Sequence, residues 1–225
     1  MKNFLSVLLV LLCYFSQAQI KYHFDYALVY KNSSALKESL YFVNSKDNSY
    51  ALYTQKNKDS VNTNINFMDF RGLTVNSLVD KTLFFQAETF NNDCSSVHKF
   101  SMDLFNRKAK EFEILKHNDT LINDTLYFHY STKSLKKLRY QKRKKLNKVH
   151  FIIDKNSADF KLFIYNPTIY MHLRNTFKLP NGLLKMMYYQ NLDGTITFKR
   201  ELLQTIKLDK FLIIPEDCEA VKSLK

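Results

Sequence analysis

The chain has 225 residues and a formal net charge of +13, with 19 Phe, 14 Tyr, no Trp, and only three Gly and three Pro. Three isolated glycines, Gly72, Gly182 and Gly194, leave no phosphate-cradling G-x-x-x-x-G-K, no dinucleotide G-x-G-x-x-G and no G-x-S-x-G nucleophile elbow. C-x-x-C and H-E-x-x-H are absent as well, so the common nucleotide, hydrolase and metalloprotease signatures are excluded.

The N-terminus reads MKNFLSVLLVLLCYFSQAQ. Lys2, an apolar run from Phe4 to Phe15, and small residues at Ser16 and Ala18 predict a secretory signal over 1–18, cleaved after Ala18. The run is shorter than the roughly 20 residues a spanning helix needs. Cys13 lies inside the run behind Leu11-Leu12, where a lipoprotein signal has its cysteine at the end after a small residue. The expected mature chain, 19–225, suits a single domain in the periplasm, the envelope or the medium.

Period-2 alternation dominates the mature chain. In KYHFDYALVY, Tyr22, Phe24, Tyr26, Leu28 and Tyr30 share one strand face. SLYFVNS and SYALYTQ form a hairpin through KDN; NINFMDF comes next, then a break at Arg71-Gly72, then LTVNSLV and KTLFFQAETF. EFEILKH, DTLYFHY, KVHFIID and FKLFIYN also read as strands, the last ending before Pro167. Asp193-Gly194 marks a hairpin, Pro180-Asn181-Gly182 a turn before it, and QTIKLDKFLIIP adds one or two strands. Helical signals are confined to Ala35–Ser39, Ser101–Lys110 and the last ten residues. The expected fold is mainly β: an antiparallel sheet or half-barrel of about ten strands with one or two short helices.

Two cysteines survive processing, Cys94 and Cys218. In an oxidising compartment an even pair is more often bridged than free, the alternative being two separate buried thiols.

Charge is concentrated. Of the 34 Lys and Arg, nine lie between 133 and 148 with no acid among them; without these and Lys2, 24 cations face 21 acids. The stretch SLKKLRYQKRKKLNK joins two predicted neighbouring strands. As a helix it would offer only a narrow apolar stripe, and its like charges favour an extended, solvated loop. The competing reading is contact with an anionic surface such as acidic lipid headgroups or lipopolysaccharide, through Lys136, Lys137, Arg139, Lys142, Arg143, Lys144, Lys145 and Lys148. Nucleic acid is disfavoured, since Tyr140 is the only aromatic available for stacking.

Among chemically capable residues, His129 and His150 flank this stretch on neighbouring strands, and His150 and Asp154 share a strand face. Glu111 and Glu113 likewise lie on one face. The histidine pairs are conceivable as a metal or acid–base site and the glutamates as the two acids of a hydrolase, yet cross-strand polar neighbours on a wet face and alternating surface acids are the commoner outcomes. No catalytic, cofactor or metal-binding residue is therefore assigned.

The strings YFVNSKDNSYALY, NNDCSSVHKF and LPNGLLKMMYYQNLDGTITFKREL resemble uncharacterised exported β-rich bacterial proteins. The run of antiparallel strands behind a signal is also similar in architecture to LolA-like lipoprotein carriers, which hold acyl chains in a concave sheet. That likeness implies binding of a lipid or another amphipathic molecule and transfers no residue. Three functions compete: a non-catalytic carrier of an apolar or amphipathic ligand, an envelope interaction protein using the basic stretch, and a hydrolase without a recognisable motif. A surplus of Phe and Tyr favours the first, although rings also fill cores.

Overall fold

A computed structural model describes residues 19–33, 38–55, 61–176 and 179–222. The predicted signal, 1–18, lies outside the described residues. The strands are β1 (Gln19–Asn32), β2 (Glu38–Asn44), β3 (Asp47–Gln55), β4 (Asn62–Asp69), β5 (Leu73–Asp80), β6 (Thr89–Asn91), β7 (Val97–Lys99), β8 (Phe112–Lys116), β9 (Thr120–Ile122), β10 (Thr125–Ser134), β11 (Lys148–Asp154), β12 (Leu184–Gln190) and β13 (Ile196–Pro215). The α-helices among the described residues are α1 (Lys81–Gln86), α2 (Asp103–Ala109), α3 (Leu138–Lys144), α4 (Pro167–Thr176) and α5 (Glu219–Lys222).

All thirteen strands join one open sheet; eleven follow the order β7-β5-β4-β3-β2-β1-β13-β12-β11-β10-β8, while β6 pairs with β13 and β9 with β10. Every pairing is antiparallel except the short parallel contact of β6 with β13. The mainly antiparallel sheet is as the alternation predicts, with three more strands than the estimate of about ten. The helical signals at 101–110 and in the last ten residues correspond to α2 and α5. The signal at Ala35–Ser39 lies largely outside the described residues, and its last two positions belong to β2. β13 runs for 20 residues and pairs with β1 along most of its length, so it is the spine between the two halves.

Both faces carry cores, built largely from the abundant Phe and Tyr of the chain. On the first face Tyr22, Phe24, Phe42, Leu52, Phe67, Leu212 and Ile214 pack beneath α1, α5 and the Cys94–Cys218 disulfide. On the second, Leu28, Tyr30, Tyr41 and Phe70 meet Phe160 and Phe163, and farther along Phe151 and Ile153 meet Leu162, Ile164 and Ile169.

Four segments depart from the expected pattern. KTLFFQ is the helix α1, because the Asp80 carboxylate accepts from Leu83 N at 2.8 Å and starts a turn that apolar alternation conceals. FKLFIYN is irregular; it buries Phe160, Leu162, Phe163 and Ile164 without joining the ladder. Pro167 does not merely end that segment but opens α4, its missing N–H being harmless in a first turn. The basic stretch is helical over Leu138–Lys144, not extended throughout. Lys145 in the left-handed region (φ 48°) closes that helix, with Leu146 N bonding back to Gln141 O at 3.0 Å.

Candidate functional site

Among the described residues the first face is covered only in part, and α1 marks where that cover stops. Phe84 points into the sheet, its ring 5.5 Å from Phe42 and 5.3 Å from Phe90. The Lys210 ammonium, itself buried, donates to the carbonyls of Phe84 (2.8 Å) and Ala87 and so fastens the end of the helix to β13. Burial pushes the Lys210 amine below its ordinary range, with Glu88 opposing. With Phe84 pinned inward, the next residue, Phe85, turns outward and stays 43% exposed.

Beyond Phe85 a hollow of about 550 Å³ opens onto the sheet, lined by Val29, Leu40, Phe85, Leu203 and Ile206 together with Glu38, Lys81 and Gln204. Its position follows from a register shift. Val29 pairs with Gln204 but Tyr30 with Leu202, so Leu203 is an extra residue in β13. The bulge leaves Leu203 51% exposed and Ile206 40% exposed, both beside the opening. Large aliphatic groups left open beside a phenyl ring form a surface that an apolar chain can cover.

The basic segment connects β10 and β11, as expected, and its cations do not all stand free. Lys136 Nζ lies 3.2 Å from Glu111, and Lys133 Nζ 2.9 Å from Glu113. These ion pairs employ the two carboxylates weighed as catalytic acids, as the ordinary cross-strand charge pairing does. Lys137, Arg139, Lys142, Arg143, Lys144, Lys145 and Lys148 are exposed, as are Leu135 and Leu138. Half-buried Tyr140 lies between Lys136 and Arg143, 5.9 Å and 5.5 Å from its ring centre. The predicted disulfide is present, joining Cys94 to Cys218.

His129 and His150 meet ring to ring, Nε2 to Nδ1, at 2.9 Å. Asp154 is not with them; it caps the turn after β11 by accepting from Asn156 N. A third ring, His117, lies 4.5 Å from His129, tilted by 35°, a neighbour that sequence spacing alone does not reveal. The signal that would have found it is Asn123-Asp124. Both residues have positive φ (48° and 60°), the hallmark of a two-residue hairpin turn, and that hairpin folds His117 back onto His129.

No helix among the described residues is long and apolar enough to cross a membrane. No family model matches the chain, and no curated protein matches its sequence. Among solved structures it is similar to a chain of the MucA/MucB complex of Pseudomonas aeruginosa, with a TM-score of 0.40 and 7% identity over 93% of this chain and 56% of that one. It is similar to an uncharacterized conserved protein from Thermus thermophilus (TM-score 0.41, 6% identity, 90% and 88% covered). It is also similar to a LolA superfamily protein from Nitrosomonas europaea (TM-score 0.25, 11% identity, 86% and 87% covered). The chain spans about half the length of the MucB chains it matches.

Proposed function

We propose that this is an exported, non-catalytic binding protein that holds one amphipathic molecule, its apolar chain lying in the hollow beside Phe85. The observation that carries the reading is the hollow itself: about 550 Å³, within the range of small-molecule sites, on a sheet face that the described residues leave open beyond α1. Val29, Leu40, Phe85, Leu203 and Ile206 supply apolar contact, and Glu38, Lys81 and Gln204 give a polar head group something to meet. An oxidised Cys94–Cys218 pair suits an exported chain.

The test is titration of the chain 19–225 with a fluorescent long-chain fatty acid. Saturable binding of one probe per chain is expected. Leu203→Glu and Ile206→Glu place a charge in the lining at positions already open to solvent, so they should weaken binding by at least ~10-fold while leaving the far-UV spectrum unchanged. Absence of saturable binding, or wild-type affinity in both variants, would overturn the reading.

A second reading rests on the segment around α3, where Leu135 and Leu138, 58% and 57% exposed, stand among seven exposed cations. That composition suits an acidic lipid surface, on which such a protein would collect or deliver its ligand.

A further inference from the structure

Two groups of potential metal ligands occur among the described residues. One contains Cys94, Cys218 and Asp217, and its sulfurs are already joined in the disulfide. The other consists of His117, His129 and His150, and nothing in the proposed ligand hollow uses it.

We propose that His117, His129 and His150 bind one divalent transition ion, Zn2+ in the first instance, with the fourth position open to water. The three rings come from three adjacent strands: His117 follows β8, His129 is in β10 and His150 in β11. Each offers one nitrogen, and these nitrogens all lie within 4.8 Å of one another. Tetrahedral zinc at 2.0–2.1 Å from imidazole holds its donors about 3.3 Å apart, so rotations of the rings close the remaining distance. The backbone is already set, since His117 N donates to His129 O at 2.9 Å and the strands on either side are in register.

The surroundings fix how the rings face. Gln190 Nε2 donates to the Gly194 carbonyl at 3.1 Å, which turns Gln190 Oε1 toward His150 Nε2 at 3.2 Å. His150 therefore carries its proton on Nε2, and its Nδ1 lone pair faces His129. Tyr188 stacks flat on the His150 ring, centre to centre 4.4 Å and 6° from parallel, and keeps it from turning away. Ser131 Oγ lies 2.7 Å from His117 Nε2 and holds the third ring in place. An amide oxygen and a hydroxyl behind coordinating imidazoles are the partners that orient ligands in metal sites.

On binding, His129 carries its proton on Nδ1 and presents Nε2 to the ion. A set of three imidazoles without a carboxylate selects zinc, copper(II) or nickel over calcium or magnesium.

The test is calorimetric titration of Zn2+ into the untagged chain 19–225, previously stripped with chelator. One ion per chain is expected at micromolar affinity or better. Co2+ should give the visible absorption of a tetrahedral site. His129→Ala should weaken binding at least ~100-fold, and Gln190→Ala about 10-fold through loss of the His150 orientation; His23→Ala should have no effect. If His129→Ala does not fold, the imidazole nitrogen resonances of the wild-type chain give the answer without a variant, because Zn2+ should shift three rings and leave the other histidines in place. Absence of binding by the wild type, or binding that perturbs a different set of rings, overturns the proposal.

Discussion

The Tyr22 hydroxyl, on β1, donates to the carboxylate of Asp69, on β4, at 2.8 Å across the buried middle of the sheet. Asp69 is 1% exposed, and the Arg71 guanidinium folds back to share the same oxygen, with Nε at 2.8 Å. Arg71 itself reaches solvent at 60% exposure, so it can rehydrate if its partner is lost, whereas the Tyr22 hydroxyl cannot. The two halves of the contact should therefore cost different amounts. Asp69→Ala should lower stability by about 2–3 kcal/mol, Tyr22→Phe by about 1 kcal/mol, both read as shifts of the urea midpoint. Equal effects would place the energy elsewhere in the turn.

The Cys94–Cys218 bridge closes a loop with a sequence separation of 124 residues and holds α5, with buried Val221, beneath the first face. Constraint of so long a loop in the unfolded chain is worth about 5 kcal/mol in the chain-entropy description. Cys94→Ser with Cys218→Ser should lower the unfolding free energy by about 3–5 kcal/mol. The same loss should follow reduction of the wild type. A smaller loss under both treatments would mean that the unfolded chain is already compact.

The bridge shows what a sequence makes legible. Two cysteines and a predicted export signal suggest a disulfide without any geometry, and alternation in KYHFDYALVY predicts a strand. An irregularity between Phe24 and Tyr26 nevertheless sends Tyr22 and Phe24 to one face and Tyr26, Leu28 and Tyr30 to the other, instead of one shared face. Legibility fails where two periods fit the same residues. KTLFFQAETF reads as a strand until the Asp80 cap is seen, and FKLFIYN is apolar enough for a strand yet finds no ladder partner. The hollow is hidden for another reason: it depends on one extra residue, Leu203, and register lies in pairings that no single strand contains. The histidine cluster is half visible, since His129 and His150 flank one connection while His117 needs the Asn123-Asp124 turn to bring it back.

Burial holds the hydroxyls of Tyr22, Tyr30 and Tyr41 well above the ordinary tyrosine range, and that of Tyr165 is pushed up to about 12. Asp69 adds to the rise at Tyr22, and Tyr53 to that at Tyr165. In the unfolded chain these groups ionise near pH 10, so between pH 10 and the folded values the native state keeps protons that the unfolded state releases. Stability should be complete below pH 10 and fall above it, by up to about 5 kcal/mol per pH unit while all four stay protonated. Tyrosinate absorbance at 295 nm and far-UV circular dichroism, followed together, should change in one cooperative step. Tyr41→Phe should move that step to higher pH; gradual tyrosine ionisation near pH 10 with the spectrum intact would contradict the argument.

The exposed cations around α3 should behave as a surface-binding element only if solvent and not protein is their present partner, and most meet that condition. Lys136 is engaged by Glu111, but Lys142, Arg143, Lys144 and Lys145 extend from the last turn of the helix and its cap. Each cation near an acidic bilayer contributes ~1 kcal/mol, so replacing these four by Gln should weaken sedimentation with phosphatidylglycerol vesicles by roughly 100-fold or more at moderate salt. The attraction should fade at 1 M salt, where screening shortens its range to about 3 Å. Leu138→Ser should weaken binding further at any salt, because contact of an exposed leucine with acyl chains does not depend on charge. If the fourfold variant sediments like the wild type, the charge of this segment serves solvation alone. The proposed ligand of the hollow beside Phe85 would then have to arrive without help from the helix.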